Sequence, residues 1–172
     1  SFGNFYSSFQ VTKNIDSLAN NGTIFKHAFC STASSELGLL SLLSGKNVFG
    51  HNYNLSEVEL QHLSTIKQRG YRTAFFGAWN LKGLPNCFDH WEILTDPKQI
   101  YNPKIKSNDK TRKIEGHSTD IIADITIDWL KKQSQDDNPK FIIVYFNGTN
   151  RPWMPPIRFL EYHNDHLLPE PK

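Results

Sequence analysis

The chain has 172 residues, with 19 Lys and Arg against 17 Asp and Glu, for a formal net charge of +2. That length allows one domain with a real core. The near-balance of charge gives no bulk drive toward nucleic acid, and no apolar run approaches the length of a membrane span. Two cysteines, Cys30 and Cys87, make neither a disulfide framework nor a metal set and read as free thiols.

The first residue is Ser1, with no apolar signal segment after it, so the natural chain is expected to start further upstream. Residues 1–13 are aromatic and polar without clear periodicity. A short helix is predicted at about 14–20, ended by Asn21-Gly22. Thr23 to Phe29 alternates and predicts a strand. Next comes Phe29 to Lys46, FCSTASSELGLLSLLSGK. Ser34 can cap a helix through its hydroxyl. Leu37, Leu39, Leu40, Leu42 and Leu43 are apolar almost all round, which predicts burial. Gly45 can take the left-handed conformation that stops the helix. Ser35 is thereby held at a helix N-terminus, where anions are favoured.

Asn47 to Asn54 reads as a loop. Ser56 to Arg69 reads as a helix, with Ser56 and Glu59 as a capping box, Leu55 and Leu60 as a hydrophobic staple, and Gly70 as its stop. Tyr71 to Gly77 is an aromatic-rich buried strand. Residues 82–116 read as mostly irregular. Ser118 to Gln133 is an amphipathic helix with Ile121, Ile122, Ile125 and Trp129 on one face. Lys140 to Phe146 is a continuous apolar strand. Such alternation predicts an α/β fold, a mostly parallel sheet with helices on both faces, with function at the strand carboxyl ends. Ser35, Gly77–Asn80 and Asn147–Asn150 all lie at or just after predicted strands. Asn21, Asn54 and Asn147 begin glycosylation triplets.

Several segments, in order, resemble the sulfatase family of the alkaline-phosphatase-like superfamily. Leu43-Ser44-Gly45-Lys46 resembles the end of its C/S-x-P-S-R…L-T-G-K motif, which puts Ser35 at the nucleophile position. Cys30 matches an extra Cys in the preceding A-F-C strand. Asn14-Ile15-Asp16-Ser17-Leu18-Ala19 resembles P-N-I-D-x-L-A, and Gly70-Tyr71-Arg72-Thr73-Ala74 resembles G-Y-x-T-A. Phe88-Asp89-His90-Trp91-Glu92 and Tyr101-Asn102-Pro103 resemble F-D-x-W-E…Y-x-N-P. Arg151-Pro152-Trp153-Met154-Pro155-Pro156 resembles H-R-P-W-M-P-P. The last two are typical of members acting on glycans such as heparan sulfate and mucins. The family domain is much larger. The resemblance therefore implies that 1–172 is a partial, N-terminal part of that fold, lacking the first metal-ligand segment and the C-terminal half.

The resemblance implies sulfate-ester chemistry, with a formylglycine hydrate as nucleophile, a calcium ion on the sulfate oxygens, and Lys, Arg and His managing charge and protons. Here those positions are altered. The family's Pro and Arg after the nucleophile are Leu37 and Leu39. Its G-K-W-H-L-G is Gly77-Ala78-Trp79-Asn80-Leu81-Lys82-Gly83, so Ala78 replaces Lys and Asn80 replaces His. Asn150 replaces the His before Arg151, and Asn147 stands where the family often has Lys or His. Trp79, Arg151 and Trp153 are candidates for substrate binding; packing is the ordinary role of tryptophan.

No cofactor is expected from this chain, and calcium only if ligands come from outside it. By resemblance those ligands lie just before Ser1-Phe2-Gly3-Asn4 and past residue 172. His51, His62, His90 and His117 are too scattered for a metal cluster and read as surface or loop histidines. Lys104, Lys106, Lys110, Arg112 and Lys113 could attract sulfated glycans or phosphates, against the commoner reading of a solvated, mobile loop.

The expectation is a sulfatase-like scaffold without turnover, a pseudo-sulfatase that binds a sulfated glycan or a protein. One alternative is an active sulfuric ester hydrolase with Ser35 as formylglycine precursor. Another is a structural or interaction module completed by a second polypeptide. The resemblance also implies an extracytoplasmic location, whether secreted, periplasmic or lysosomal.

Overall fold

A computed structural model of the protein describes residues 12–48, 60–108, 110–148 and 151–161. It divides into two compact units, Ser1–Ser31 and Thr32–Lys172, taken separately below.

In the first unit the predicted short helix is present as α1, Lys13–Asn20. Thr12 begins it, its Oγ1 donating to the buried Asp16 carboxylate at 3.3 Å. The strand predicted over Thr23–Phe29 is not formed; Phe25 and Phe29 are 80% and 92% exposed within the chain. Alternation alone does not make a strand. A strand needs a hydrogen-bonded neighbour, and no described segment pairs with this one.

In the second unit, α2 runs over Ser35–Ser44. Ser34 Oγ accepts from the Leu37 N–H at 3.4 Å, and Gly45 ends the helix at φ +68°. Both ends therefore match the sequence reading. Burial does not go all round: Leu39, Leu40 and Leu43 are buried, but Leu42 is 65% exposed. Helix α3 spans Gln61–Gln68. The proposed capping box, Ser56 and Glu59, and Leu55 of the staple lie outside the described residues; Leu60 sits at the helix start. At its other end Gly70, at φ +83°, lets Tyr71 N–H reach the Ile66 carbonyl and its own N–H reach Lys67.

Five strands follow: β1 Arg72–Gly77, β2 His90–Leu94, β3 Lys104–Ser107, β4 Lys110–Lys113 and β5 Lys140–Tyr145. Helix α4, Ser118–Lys132, precedes β5. The sheet order is β4-β3-β2-β1-β5, with β1 parallel to β2 and β5, and β3 and β4 added antiparallel. Three of these strands fall inside 82–116, the stretch expected to be irregular. Their lysines and arginines hide the pattern: only Ile105 of the β3–β4 ribbon is buried.

Strand β1 shows why the sheet needs two cover layers. Phe75 faces a core with Leu39, Leu40, Leu43, Leu63, Trp79 and Trp91. Ala74 and Phe76 face the other core, with Ile121, Ile122 and Trp129 of α4. All three are shut off from solvent, on two sides of one strand, the pattern of a parallel sheet covered on both faces. Two motif segments also lock together: Asp89 accepts from Thr73 N–H and Oγ1, each at 2.9 Å, and pairs with Lys67 at 2.8 Å. Burial raises the Asp89 pKa, but the bonds from Lys67 and Thr73 outweigh it and hold the carboxyl below its usual range.

Candidate functional site

The carboxyl ends of the adjacent parallel strands β1 and β5 lie side by side, Gly77 opposite Tyr145. Gly77 has φ +106°, and a Cβ there would lie 2.1 Å from the Tyr145 carbonyl oxygen. Only glycine fits so close a backbone approach. The Ala78 N–H then donates to that same oxygen at 2.8 Å. Two loops therefore leave the sheet at one edge: 78–83 after β1, and 146–148 after β5.

Most of the predicted site residues have a place in the fold. Ser35 is exposed, in the first turn of α2. Leu39, one turn on, is buried in the core that contains Phe75 and Trp79. Ala78 is fully buried in the opposite core beside Ile121 and Ile122. Asn80 is half-buried. Asn150 lies outside the described residues. Trp79 is 7% exposed, stands edge-on to Phe75 at 4.9 Å, and gives its indole N–H to the Gly83 carbonyl. It is a packing residue in this chain, with no face open to a sugar. Trp153 is its opposite: 68% exposed, with the Arg151 guanidinium 4.7 Å from its ring centre.

What holds the 151–158 segment was not read from the sequence. The Tyr101 hydroxyl donates to the Pro155 carbonyl at 2.9 Å. His117 is buried and caps α4: its Nδ1 accepts from Thr119 N–H, which leaves Nε2 to donate to the Met154 carbonyl at 2.9 Å. Arg158 grips Asp120 of α4 with two bonds of 2.6 and 2.7 Å. Those bonds, ahead of the smaller opposing effect of burial, lower the Asp120 pKa. His117 is therefore no surface histidine but a clamp. His90 also differs from expectation: it stacks on Trp129 at 5.9 Å and meets Glu92 at 3.3 Å. His51 is outside the described residues.

Asn147 is the other residue the sequence undervalued. Its side chain is fully buried, accepting from Ser118 Oγ at 2.9 Å and donating to the Pro97 carbonyl at 2.8 Å. It pins the end of β5 to the start of α4, and an amide so engaged is not free to carry a glycan. The signal was available only as an Asn directly after a strand, with a Ser at a helix start.

Among the described residues no three His, Cys, Asp or Glu side chains converge on a point that could hold a metal. The described carboxylates alone therefore supply no calcium cluster. Cys30 and Cys87 are free thiols, and burial raises the Cys87 pKa. No described helix is long and apolar enough to cross a membrane.

The sulfatase family profile matches residues 2–165. An N-acetylglucosamine-6-O-sulfatase of Bacteroides thetaiotaomicron is 33% identical over 93% of this chain, which covers 30% of that protein. An ulvan-active sulfatase of Formosa agariphila is 28% identical over 77% of the chain, and 29% of its own length. An extracellular sulfatase SULF-1 homolog of Drosophila melanogaster is 26% identical over 74% of the chain and 13% of its own. A solved complex of a protein with its substrate D-glucosamine-2-N,6-O-disulfate superposes at a TM-score of 0.83, with 30% identity, over 93% of this chain and 34% of that one. A complex with a neocarrahexaose, at 17% identity and a TM-score of 0.68, supports the fold alone. The chain spans about a third or less of these curated relatives. With that family profile across nearly its whole length and the mostly parallel sheet, covered on both faces, beneath it, the chain belongs to the sulfatase family, with an alkaline-phosphatase-like fold and a likeness to glycan sulfatases.

Proposed function

We propose that this protein is a pseudo-sulfatase, which binds a sulfated glycan on a sulfatase scaffold and does not hydrolyse it. One observation carries the reading. Leu39 and Ala78, at the family's Arg and Lys positions, are packed into the two apolar cores, 4% and 0% exposed. Attack at sulfur builds negative charge on the leaving oxygen, and cations must neutralise it. Leucine and alanine cannot. Asn80 can donate a hydrogen bond but cannot shuttle a proton near neutral pH. Losing one electrostatic stabiliser lowers a rate by about 10²–10³, and several losses leave little turnover even without strict additivity.

Binding draws on different groups. The exposed Trp153 face and the Arg151 cation beside it offer a sugar ring and a sulfate complementary partners. The relatives named for N-acetylglucosamine 6-sulfate and ulvan point to sulfated sugars as the class. The relative named extracellular supports a location outside the cytosol. The test is sulfate release from an aryl sulfate and from 6-O-sulfated glucosamine oligosaccharides, beside a binding titration of the same oligosaccharides. Binding without release is the expected result. Release at ordinary sulfatase rates, lost in Ser35→Ala, overturns the reading.

Exposure of Ser35 in the first turn of α2 favours a second reading, an active hydrolase with formylglycine made at that residue. Intact-mass analysis of protein from its own host decides it: an aldehyde supports turnover, an unmodified serine removes it. A third reading rests on β5, which is half-buried along all six residues at one end of the described sheet. It casts the chain as a module completed by a second polypeptide. A compact, cooperatively melting monomer would contradict it.

A further inference from the structure

The basic stretch expected to be a mobile loop is an ordered antiparallel ribbon, β3–β4, and its register sorts the cations onto two faces. Lys104 stands opposite Lys113, Ile105 opposite Arg112, and Lys106 opposite Thr111. Ile105 is fully buried in the core against α4. Its cross-strand partner Arg112 shares that face and is bound to Glu92. Lys104, Lys106 and Lys113 therefore share the other face. Among the described residues none of the three has an ion-pair partner. Along a strand, residues two apart lie about 7 Å from each other. Directly opposite Cβ atoms lie about 5 Å apart. Like charges placed so are destabilising, and Lys104 and Lys113 are such a pair.

We propose that this face of the β3–β4 ribbon is an anchoring site for an extended sulfated polysaccharide, whose successive sulfate groups meet Lys104, Lys106 and Lys113. The inference rests on the reading of the protein as a binder of sulfated glycans, and adds a second contact region two strands across the sheet from Gly77, in register with it through Ile93. An extended polyanion matches a flat, linear row of cations. A net charge of only +2 gives nucleic acid no broad basic surface to follow.

The test is affinity for a heparin-derived hexasaccharide at low salt, measured calorimetrically on the protein, with its fully desulfated counterpart as a blank. The variant K104Q/K106Q/K113Q should bind about tenfold more weakly, the sum of three exposed ion pairs at their usual strength. The variant K98Q/K131Q/K132Q removes the same charge from other exposed positions and should stay within about twofold of wild type. Equal weakening in both variants would reduce the effect to net charge and overturn the proposal. So would wild type that ignores the hexasaccharide or prefers single-stranded DNA. Lysines also guard exposed sheet edges against pairing. If that is their whole role, the ribbon variant will self-associate while its affinity is unchanged, which also overturns the proposal. Sulfate release by wild type would sink the pseudo-sulfatase reading but leave this comparison standing.

Discussion

Replacing Asn147 by alanine tests whether the strand-end site is built on a buried polar pin. The wild-type amide satisfies two groups at once, the Ser118 hydroxyl and the Pro97 carbonyl, at 2.9 and 2.8 Å with the Asn147 side chain sealed from water. Alanine removes both bonds and strands both partners. A buried group left unsatisfied costs about 1–3 kcal/mol, and the vacated volume adds to it. A total near 3 kcal/mol is expected, which for a chain of this size lowers the melting temperature by about 6–12 °C. Thermal unfolding followed by circular dichroism measures it. Asn80→Ala, at a half-buried position on the neighbouring loop, serves as the comparison and should shift stability by less than about 1 kcal/mol. Asn147→Lys, which restores a residue common in the family, should be worse than alanine, because it buries an unpaired charge. If Asn147→Ala melts within a degree or two of wild type, the pin is not what holds the end of β5.

Other changes separate packing from display. Gly77→Ala should cost more than about 3 kcal/mol, since φ +106° and a Cβ 2.1 Å from Tyr145 O leave it no room; soluble expression and melting report it. Trp79→Ala should cost about 3–5 kcal/mol, whereas Trp153→Ala should leave stability within about 0.5 kcal/mol and weaken oligosaccharide binding instead. Burial raises the Glu92 pKa from its ordinary 4.5, but the His90 bond and the Arg112 charge lower it further, so the net shift is downward. A lowered carboxyl pKa gives stability that is present above pH 4.5 and lost as pH falls through the lower folded value. Acid-unfolding curves of Glu92→Gln should therefore be flatter than wild type below pH 4.5; parallel curves would remove Glu92 from the account.

Local elements whose ends carry their own chemistry are legible in the sequence. Ser34 and Gly45 bound α2, Gly70 stops α3, and the isoleucines with Trp129 define the buried face of α4, because caps and periodicity depend only on near neighbours in the chain. The family is legible there too, since the motif segments run in order through the whole length. Tertiary structure alone decided the rest. The strand expected at Thr23–Phe29 found no partner among the described residues, while β3 and β4 formed from a lysine-rich stretch because they found one. Trp79 and Trp153, the same residue type in two family motifs, went to opposite fates, one sealed under Phe75 and one open to solvent. Asn147 and His117 became pins because a hydroxyl or carbonyl distant in sequence came within 3 Å. Burial and pairing belong to what lies across the fold from a residue, and that geometry exists only once the sheet has assembled.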